Sequence, residues 1–586
     1  MIRCFYGNEG LTIKLKPQLR ETVFLFVAGI VAFGSNSYQQ ALDYASALNK
    51  PSLDLPTLIA DNSNSALYWS IDKFLEFGLS PFLISLIVNF ILLYFFLNRL
   101  FKVNTLIGFK DNHAVALTFF MVFTYTFLSP FAYEIQVLGT ITQGRMTPLL
   151  ILLLMSFLLS PSQPIRDFKI ILVICLTLSI HPIMGIFLLN FTILVAVIQK
   201  SKILNLFALC LINVISILTL LQSRISQASN DSSLFSEFPN SIYGKNFCHH
   251  YSNIMNFTNG GEVENNLRNF AVYLITISLI LYKYRAINSV NAAFGILSIF
   301  LVYAFLLSIF LNLNIIMDTP LSNIAFSIMP LRFLDAANMF VFPLLLMILL
   351  KTIGMVFFVY ALCGLTALRI VNARNLDFLF KENELHFITL ILLLMILPMI
   401  MKNSLVQNLR KRFSQQLSFI PLILSIPLAA FILVQISHVA TSPSTDWKSI
   451  KTLANLNGFN GSKILTSQGI YFPMAIHDNY QVLNHGELQS IIYVPEALPY
   501  VERMLNRYYG TSLSEYFGQS SCALETSDRT RKEWESWDRS KWRNLSREDG
   551  FKYVIVPKGW NLKLTETAIV SLGTKVKQEI SVFIAR

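Results

Sequence analysis

Runs of about 20 apolar residues recur from residue 21 to residue 438, long enough to cross a hydrocarbon core about 30 Å thick as helices. Lipid offers no partner to backbone N–H and C=O groups, so a continuous apolar run must satisfy them internally, as a helix does. The runs fall at residues 21–37, 80–98, 113–131, 147–160, 168–181, 183–199, 203–221, 268–282, 289–312, 333–350, 353–371, 386–401 and 416–438. That is about thirteen expected spans, so the fold class is mainly α, polytopic and transmembrane. With 54% hydrophobic and 14% charged residues, the chain lies far from a soluble composition. The runs at 147–160 and 168–181 are short and bounded by Pro148, Pro161 and Pro182, which points to bent or re-entrant helices lining a cavity.

A net charge of +12 could suggest nucleic acid, but the cations sit where membrane topology puts them. Arg99, Lys102 and Lys110, then Arg166 and Lys169, Lys200 and Lys202, Lys283 and Arg285, and Lys402, Arg410, Lys411 and Arg412 occupy alternate short connections. The positive-inside rule makes those connections and the basic N-terminus cytoplasmic. No nucleic-acid partner is expected. The expected location is the cytoplasmic (inner) membrane, with 38–80, 132–146, 222–267, 313–332 and everything after 440 outside. The connection 372–385 departs from this map, since it falls outside yet carries Arg374 and Lys381. Six scattered cysteines include no CxxC; four of them, Cys175 and Cys210 included, lie in or near apolar runs and are expected as buried thiols.

Two regions stand out from the spans. The first outer loop, 38–80, carries apolar residues at helical spacing (Leu42, Ala45, Leu48; Leu67, Ile71, Phe74, Leu75), which predicts two short amphipathic helices around an extended PSLDLP segment. It holds Asp43, Asp54, Asp61 and Asp72, and a connection this long in a compact protein is usually functional. The second region is residues 440–586, with 18 Lys/Arg, 15 Asp/Glu and five of the six tryptophans. The expected division is therefore a transmembrane domain, 1–439, and a small soluble α+β domain, 440–586. In the latter KILTSQGI, YQVLNHG, FKYVIVP and ISVFIAR read as strands, with 495–509 and 528–548 as helices.

Polar and ionisable groups are costly in lipid, so those at span ends carry the functional signal. On this threading the outer ends collect Glu134, Gln143 and Arg145, then His181, then Arg332 and Asp335, facing the loop acids. Each has a plainer reading: Arg145 can snorkel to headgroups, Arg332 can pair with Asp335 at i,i+3 spacing, and His181 can be structural. An arginine near the interface also suits a phosphate, through charge and its forked donors. Asp43 and Asp61 are the acids suited to general-base work. His249 and His250 beside Cys248 lack a metal-ligand spacing. The chain has no P-loop, HExxH, GxSxG, GxGxxG or DxD, so an activated substrate would come from the membrane rather than from a nucleotide.

Taken together, a cytoplasmic N-terminus, one span, a two-helix outer loop, about a dozen spans and an outer tail domain resemble the GT-C membrane glycosyltransferases. The chain looks like a poorly characterised bacterial subgroup with a periplasmic C-terminal domain. The residues carrying this are Gly34, Asn36 and Gln39 or Gln40, then Pro51, Ser52, Leu53 and Asp61, followed by QGRMTPLLILLL, SIHPIMGIFLL and the YVIVP strand. Where the family has an early loop acid this chain has Asn36, Tyr38, Gln39 and Gln40, and its first acid is Asp43. The resemblance implies a polyprenyl-phosphate-linked sugar donor, a glycan or lipid acceptor, and inverting transfer in the cell envelope. It implies Asp43 or Asp61 as base, and Asn36, Gln40, Gln143, Arg145, His181, Arg332 and Asp335 in substrate binding; it leaves a divalent cation, Mg²⁺ or Mn²⁺, open. Two rivals are a polysaccharide polymerase or ligase acting on lipid-linked units, and a non-catalytic lipid-linked-glycan transporter or partner. The first usually gathers its polar residues in one late loop, and the second tends to show internal repeats and mid-span charges.

Overall fold

The computed structural model describes residues 3–7, 10–14, 17–34, 40–48, 65–123, 143–160, 164–199, 208–218, 273–282, 292–317, 331–353, 447–470, 472–483, 498–512, 528–572 and 578–585, with a few isolated positions besides. A hairpin of β1 (Arg3–Gly7) and β2 (Gly10–Lys14) precedes the helices. The helices are α1 (Pro17–Gly34), α2 (Gln40–Ala47), α3 (Ala66–Glu76), α4 (Pro81–Ile107), α5 (Asp111–Phe123), α6 (Gln143–Leu158), α7 (Pro164–Ile180), α8 (Pro182–Ile198), α9 (Ala292–Ile316) and α10 (Leu331–Ile353). The two loop helices expected from periodicity are α2 and α3, which pack on each other with Tyr44 and Tyr68 ring centroids 5.2 Å apart.

Three helices among the described residues, in α1, α4 and α9, are long and apolar enough to cross a membrane, and five shorter apolar helices accompany them. The expected spans at 386–401 and nearly all of 353–371 and 416–438 lie outside the described residues. Lipid exposure is written on the helix surfaces. On α4, Leu83, Ile87, Ile91 and Phe95 recur every fourth residue and are all exposed, as are Phe168, Leu172 and Leu176 on α7. A stripe of this kind would be costly in water and costs nothing against acyl chains. Cys175 and Cys210 are exposed as well, so the expectation of buried thiols is corrected for both: neither position faces the interior.

Side-chain contacts fix how the helices run. Glu21, near the start of α1, accepts from Tyr94 Oη and Asn98 Nδ2 of α4 at 3.0 and 2.7 Å, so α1 and α4 are antiparallel. The Arg99 guanidinium of α4 and the Lys169 ammonium of α7 both lie over the Phe157 ring of α6, at 5.5 and 5.6 Å. The α4 and α6 ends and the α7 start therefore meet at the end of the bundle where α1 begins. At the opposite end the start of α3 meets the last residue of α7, and Phe187 of α8 stacks on Phe333 of α10 with centroids 4.4 Å apart.

The proline-bounded segments fall in α6, of 16 residues with Pro148 inside it, and α7, of 17 residues. Pro182 occupies the first turn of α8, where its missing N–H costs no hydrogen bond. The chain reverses at His181, whose N–H donates to Thr177 O and whose carbonyl accepts from Gly185. A Cβ on Gly185 would stand 2.7 Å from the Leu178 Cα, so glycine permits the close approach of α7 and α8.

The C-terminal region contains α11 (Trp447–Lys451), α12 (Leu498–Met504), α13 (Asp528–Ser536) and α14 (Arg539–Asp549) around a five-stranded sheet. Its order is β4-β3-β5-β7-β6, where β3 is Lys463–Thr466, β4 Tyr480–Gln481, β5 Phe551–Pro557, β6 Thr565–Leu572 and β7 Gln578–Ile584. β3 pairs in parallel with β4 and β5, and β7 runs antiparallel to β5 and β6. Trp534 and Trp542 are fully buried, and Trp534 Nε1 donates to Tyr508 O at 2.6 Å.

Replacing Gly185 by alanine should destabilise the bundle by about 1–3 kcal/mol, because the new methyl group meets backbone that cannot yield. Gly29→Ala, whose Cβ would find its nearest atom at 3.9 Å, should be neutral or slightly stabilising. Thermal unfolding of both variants in detergent, followed by monodispersity, checks the difference in sign.

Candidate functional site

The end of the bundle shared by α3, the α7 terminus and the starts of α4, α6, α8 and α10 is also the end covered by the C-terminal region. One apolar cluster runs through it without interruption. It joins Leu42, Ala45, Leu67, Ile71, Ile84, Leu150 and Ile180 to Leu465, Val482, Tyr508 and Trp534. Burying such surface contributes about 25 cal/mol per Å², so the two regions share one core rather than touching at a rim.

Asp43 is the polar centre of this junction. α2 reads QALDYASA, and Ala41, Leu42, Asp43, Tyr44, Ala45 and Ala47 are all buried. A short helix buried on nearly every face leaves its single acid no route to water, so the carboxylate has to find donors inside. It finds them in consecutive backbone amides: Met474 N–H and Ala475 N–H donate to Asp43 Oδ1 at 2.9 and 3.0 Å. These amides belong to a turn between β3 and β4. Sequence periodicity located α2 but missed its partner, which lies more than 400 positions along the chain.

The neighbouring contacts tie the junction to the spans. Ser65 caps α3 by accepting from Leu67 N–H at 3.3 Å, and its hydroxyl donates to Ile180 O at 3.1 Å. The turn that holds Asp43 is itself braced. Asn479 Nδ2 donates to Phe459 O at 2.6 Å, Gln481 Nε2 donates to Phe472 O at 2.8 Å, and His477 Nε2 lies 2.9 Å from Ile450 O. Burial holds the His477 imidazole below its ordinary range, with its contact to the Ile450 carbonyl acting in the opposite direction.

The expected site residues distribute as follows. His181 stands half-buried at the α7–α8 reversal. Gln143 and Arg145 are first-turn positions of α6, Arg332 and Asp335 are early positions of α10, and Gln40 opens α2; for these five the description stops at the helix. Asn36 and Asp61 lie outside the described residues. The stacking of Phe187 on Phe333 brings the α8 and α10 starts together, so positions 181 and 332 share one end of the bundle. Tyr303 reinforces this, its hydroxyl donating to Phe187 O at 3.3 Å. Among the described residues no three His, Cys, Asp or Glu side chains gather in a way that could hold a metal ion.

Removing the Asp43 carboxylate strands two buried amides, so Asp43→Ala should cost about 2–5 kcal/mol and expose the 440–470 segment to protease. Asp43→Asn keeps an accepting oxygen and should cost less. Digestion rates and thermal midpoints of the two variants test this order. The His477 shift gives a pH dependence of defined sign. Its folded pKa lies below its unfolded value, so the associated stability is complete above the unfolded pKa of about 6.5 and is lost as pH falls through the window beneath it. The difference between wild-type and His477→Gln stability curves should therefore open below about pH 6.5 and be flat above it.

No protein-family model matches the chain, and no curated protein matches it. Among solved structures, ArnT from Cupriavidus metallidurans bound to undecaprenyl phosphate is similar at a TM-score of 0.42 and 11% identity, over 97% of this chain and 98% of that one. The same protein in the apo state gives a TM-score of 0.40 and 12% identity, over 96% and 97%. At such TM-scores neither likeness carries a residue role or a ligand across to this chain.

Proposed function

We propose that the chain is a membrane glycosyltransferase that takes its sugar from a polyprenyl-phosphate donor and transfers it, with inversion, to an envelope glycan or lipid. The observation that supports this reading is that positions 143, 145, 181, 332 and 335 fall near helix starts at the end of the bundle where α2, α3 and the C-terminal region share an apolar cluster. Donor and acceptor would meet there, at the outer face of the membrane on the topology read from the loop cations. The lack of any nucleotide-binding motif supports a donor supplied by lipid.

The chemistry is a single displacement. The acceptor hydroxyl attacks the anomeric carbon, the bond from that carbon to the phosphate oxygen breaks, and polyprenyl phosphate leaves with the electron pair. Arg145 and Arg332 would hold the departing phosphate by forked, charge-assisted hydrogen bonds, with Gln143, Asn36 and Gln40 orienting the sugar. His181 would add a donor to the phosphate, and Asp335 would position Arg332. A carboxylate must accept the acceptor's proton. Asp43 Oδ1 already accepts two amides, so Asp61 takes the base role on this reading and Asp43 holds the covering domain in place.

One observation favours a second reading: the acid nearest the motif is engaged in structure. A non-catalytic partner that binds the lipid phosphate would retain the same end of the bundle and need no free acid.

Turnover of radiolabelled polyprenyl-phosphate sugars by membranes carrying each variant distinguishes the two. Asp61→Asn should reduce turnover by at least about 100-fold with lipid binding retained, as expected for loss of a general base. Arg332→Ala should weaken both. Asp43→Asn should keep turnover within about tenfold if docking survives. Binding without turnover in the wild type, lost only in Arg332→Ala, would establish the non-catalytic reading instead.

A further inference from the structure

The opposite end of the bundle, where α1 begins and α4 finishes, contains a cavity of about 560 Å³ walled by α1, α4 and the start of α5. Its charged lining is Arg20, Glu21, Arg99, Lys102 and Asp111. We propose that this cavity binds a phosphate group, supplied by an anionic lipid headgroup, through Arg99 and Lys102 with Arg20 on the facing wall.

Three observations carry the assignment. First, the lining sets three cations against two acids, Glu21 and Asp111, and Glu21 is already used. Glu21 is bonded by Arg20 Nη2 at 2.7 Å, Tyr94 Oη at 3.0 Å and Asn98 Nδ2 at 2.7 Å. Second, Arg99 has no ion pair among the described residues, and its Nε is buried without a hydrogen-bond partner, as is that of Arg20. Arg99 rests on the Phe157 face, a contact that orients the guanidinium without neutralising it. An arginine in an apolar helix, flanked by buried Leu97 and Leu100, is costly to leave unpaired. Arg99 and Lys102, expected in a connection, stand on α4 itself, which continues to Ile107 and so holds them against the cavity.

Third, the depth fits. Counting from Pro81, about 20 residues at about 1.5 Å each cross a core of about 30 Å, which brings α4 to the headgroup boundary near Leu100. Arg99 and Lys102 bracket that level, where lipid phosphates lie. A cavity of this size accommodates a phosphodiester with its glycerol, and guanidinium forks match phosphate oxygens. The argument holds whichever side of the membrane this end faces, and it is independent of the glycosyltransferase reading.

The test uses the full-length protein in a neutral detergent, titrated with phosphatidylglycerol or phosphatidylcholine and followed by native mass spectrometry. The wild type should retain one phosphatidylglycerol at least about fivefold more than Arg99→Gln/Lys102→Gln, as expected for loss of charge-assisted bonds. Lys102 is exposed, so Lys102→Gln alone provides a variant whose folding is not in question and should show a smaller loss in the same direction. Arg166→Gln removes a cation from the same end that is paired with Asp167 outside the cavity, and should retain lipid like the wild type. Displacement of the lipid by millimolar inorganic phosphate would make free phosphate the source while upholding the site. Equal retention by the wild type and the double variant, or equal loss in Arg166→Gln, overturns the proposal.

Discussion

The structure depends on one carboxylate oxygen. Asp43 Oδ1 accepts from two successive amides of a turn in the C-terminal region, at 2.9 and 3.0 Å, inside an apolar cluster shared by both regions. Hydrogen bonds to an ionised acceptor are roughly twice as strong as neutral ones, and burial raises the cost of breaking them. The contact is also directional. Two amides fix the azimuth of the turn about α2, which apolar burial alone would leave loose. From α2 the constraint passes to α3 through Tyr44 and Tyr68, and from the α3 cap to the last residue of α7 through the Ser65 hydroxyl. The C-terminal region, α2, α3 and the α7 terminus are therefore linked in one chain of contacts.

The two ends of the bundle solve the cost of polar groups differently. At the covered end the polar atoms that organise the junction are paired within the protein: Asp43, Ser65 and the braced turn around Asn479 and Gln481. At the other end Glu21 is saturated while Arg99 is not, and the surplus is positive. Asp111 is the other acid in the lining, and two carboxylates do not balance Arg20, Arg99 and Lys102. An external anion at headgroup depth does.

Much of this was legible in the sequence, and the misses have physical causes. α2 and α3 were readable because their apolar spacing is local, and β5 because FKYVIVP is a continuous β-branched and aromatic run buried on both faces. β6 was missed because TETAIVSL begins with exposed polar residues at a sheet edge and gains strand character only by pairing with β7. Pro182 bounds the run 168–181 as expected and stands in the first turn of α8, where a proline's lost N–H costs no hydrogen bond. The thiols at Cys175 and Cys210 were assigned inward on hydrophobicity, but in a membrane the apolar environment surrounds the protein as well as filling it. Of the candidate site, periodicity could place residues on helix ends but not Asp43 against Met474 and Ala475. That pairing spans more than 400 positions of chain and leaves no local trace.

This pairing narrows the chemistry open to the first loop. A general base needs a lone pair aimed at the departing proton, and a carboxylate oxygen that already accepts two amide N–H groups has both of its lone pairs spoken for. Using Asp43 Oδ1 as base would require the Met474–Ala475 turn to swing away, uncovering two buried amides and parting an apolar cluster at the moment when the site must exclude water. Oδ1 cannot both hold that turn and accept a proton without undoing the seal. This geometry makes Asp43 the residue that holds the C-terminal region against α2, and on the proposed reading the acceptor's proton goes to another carboxylate.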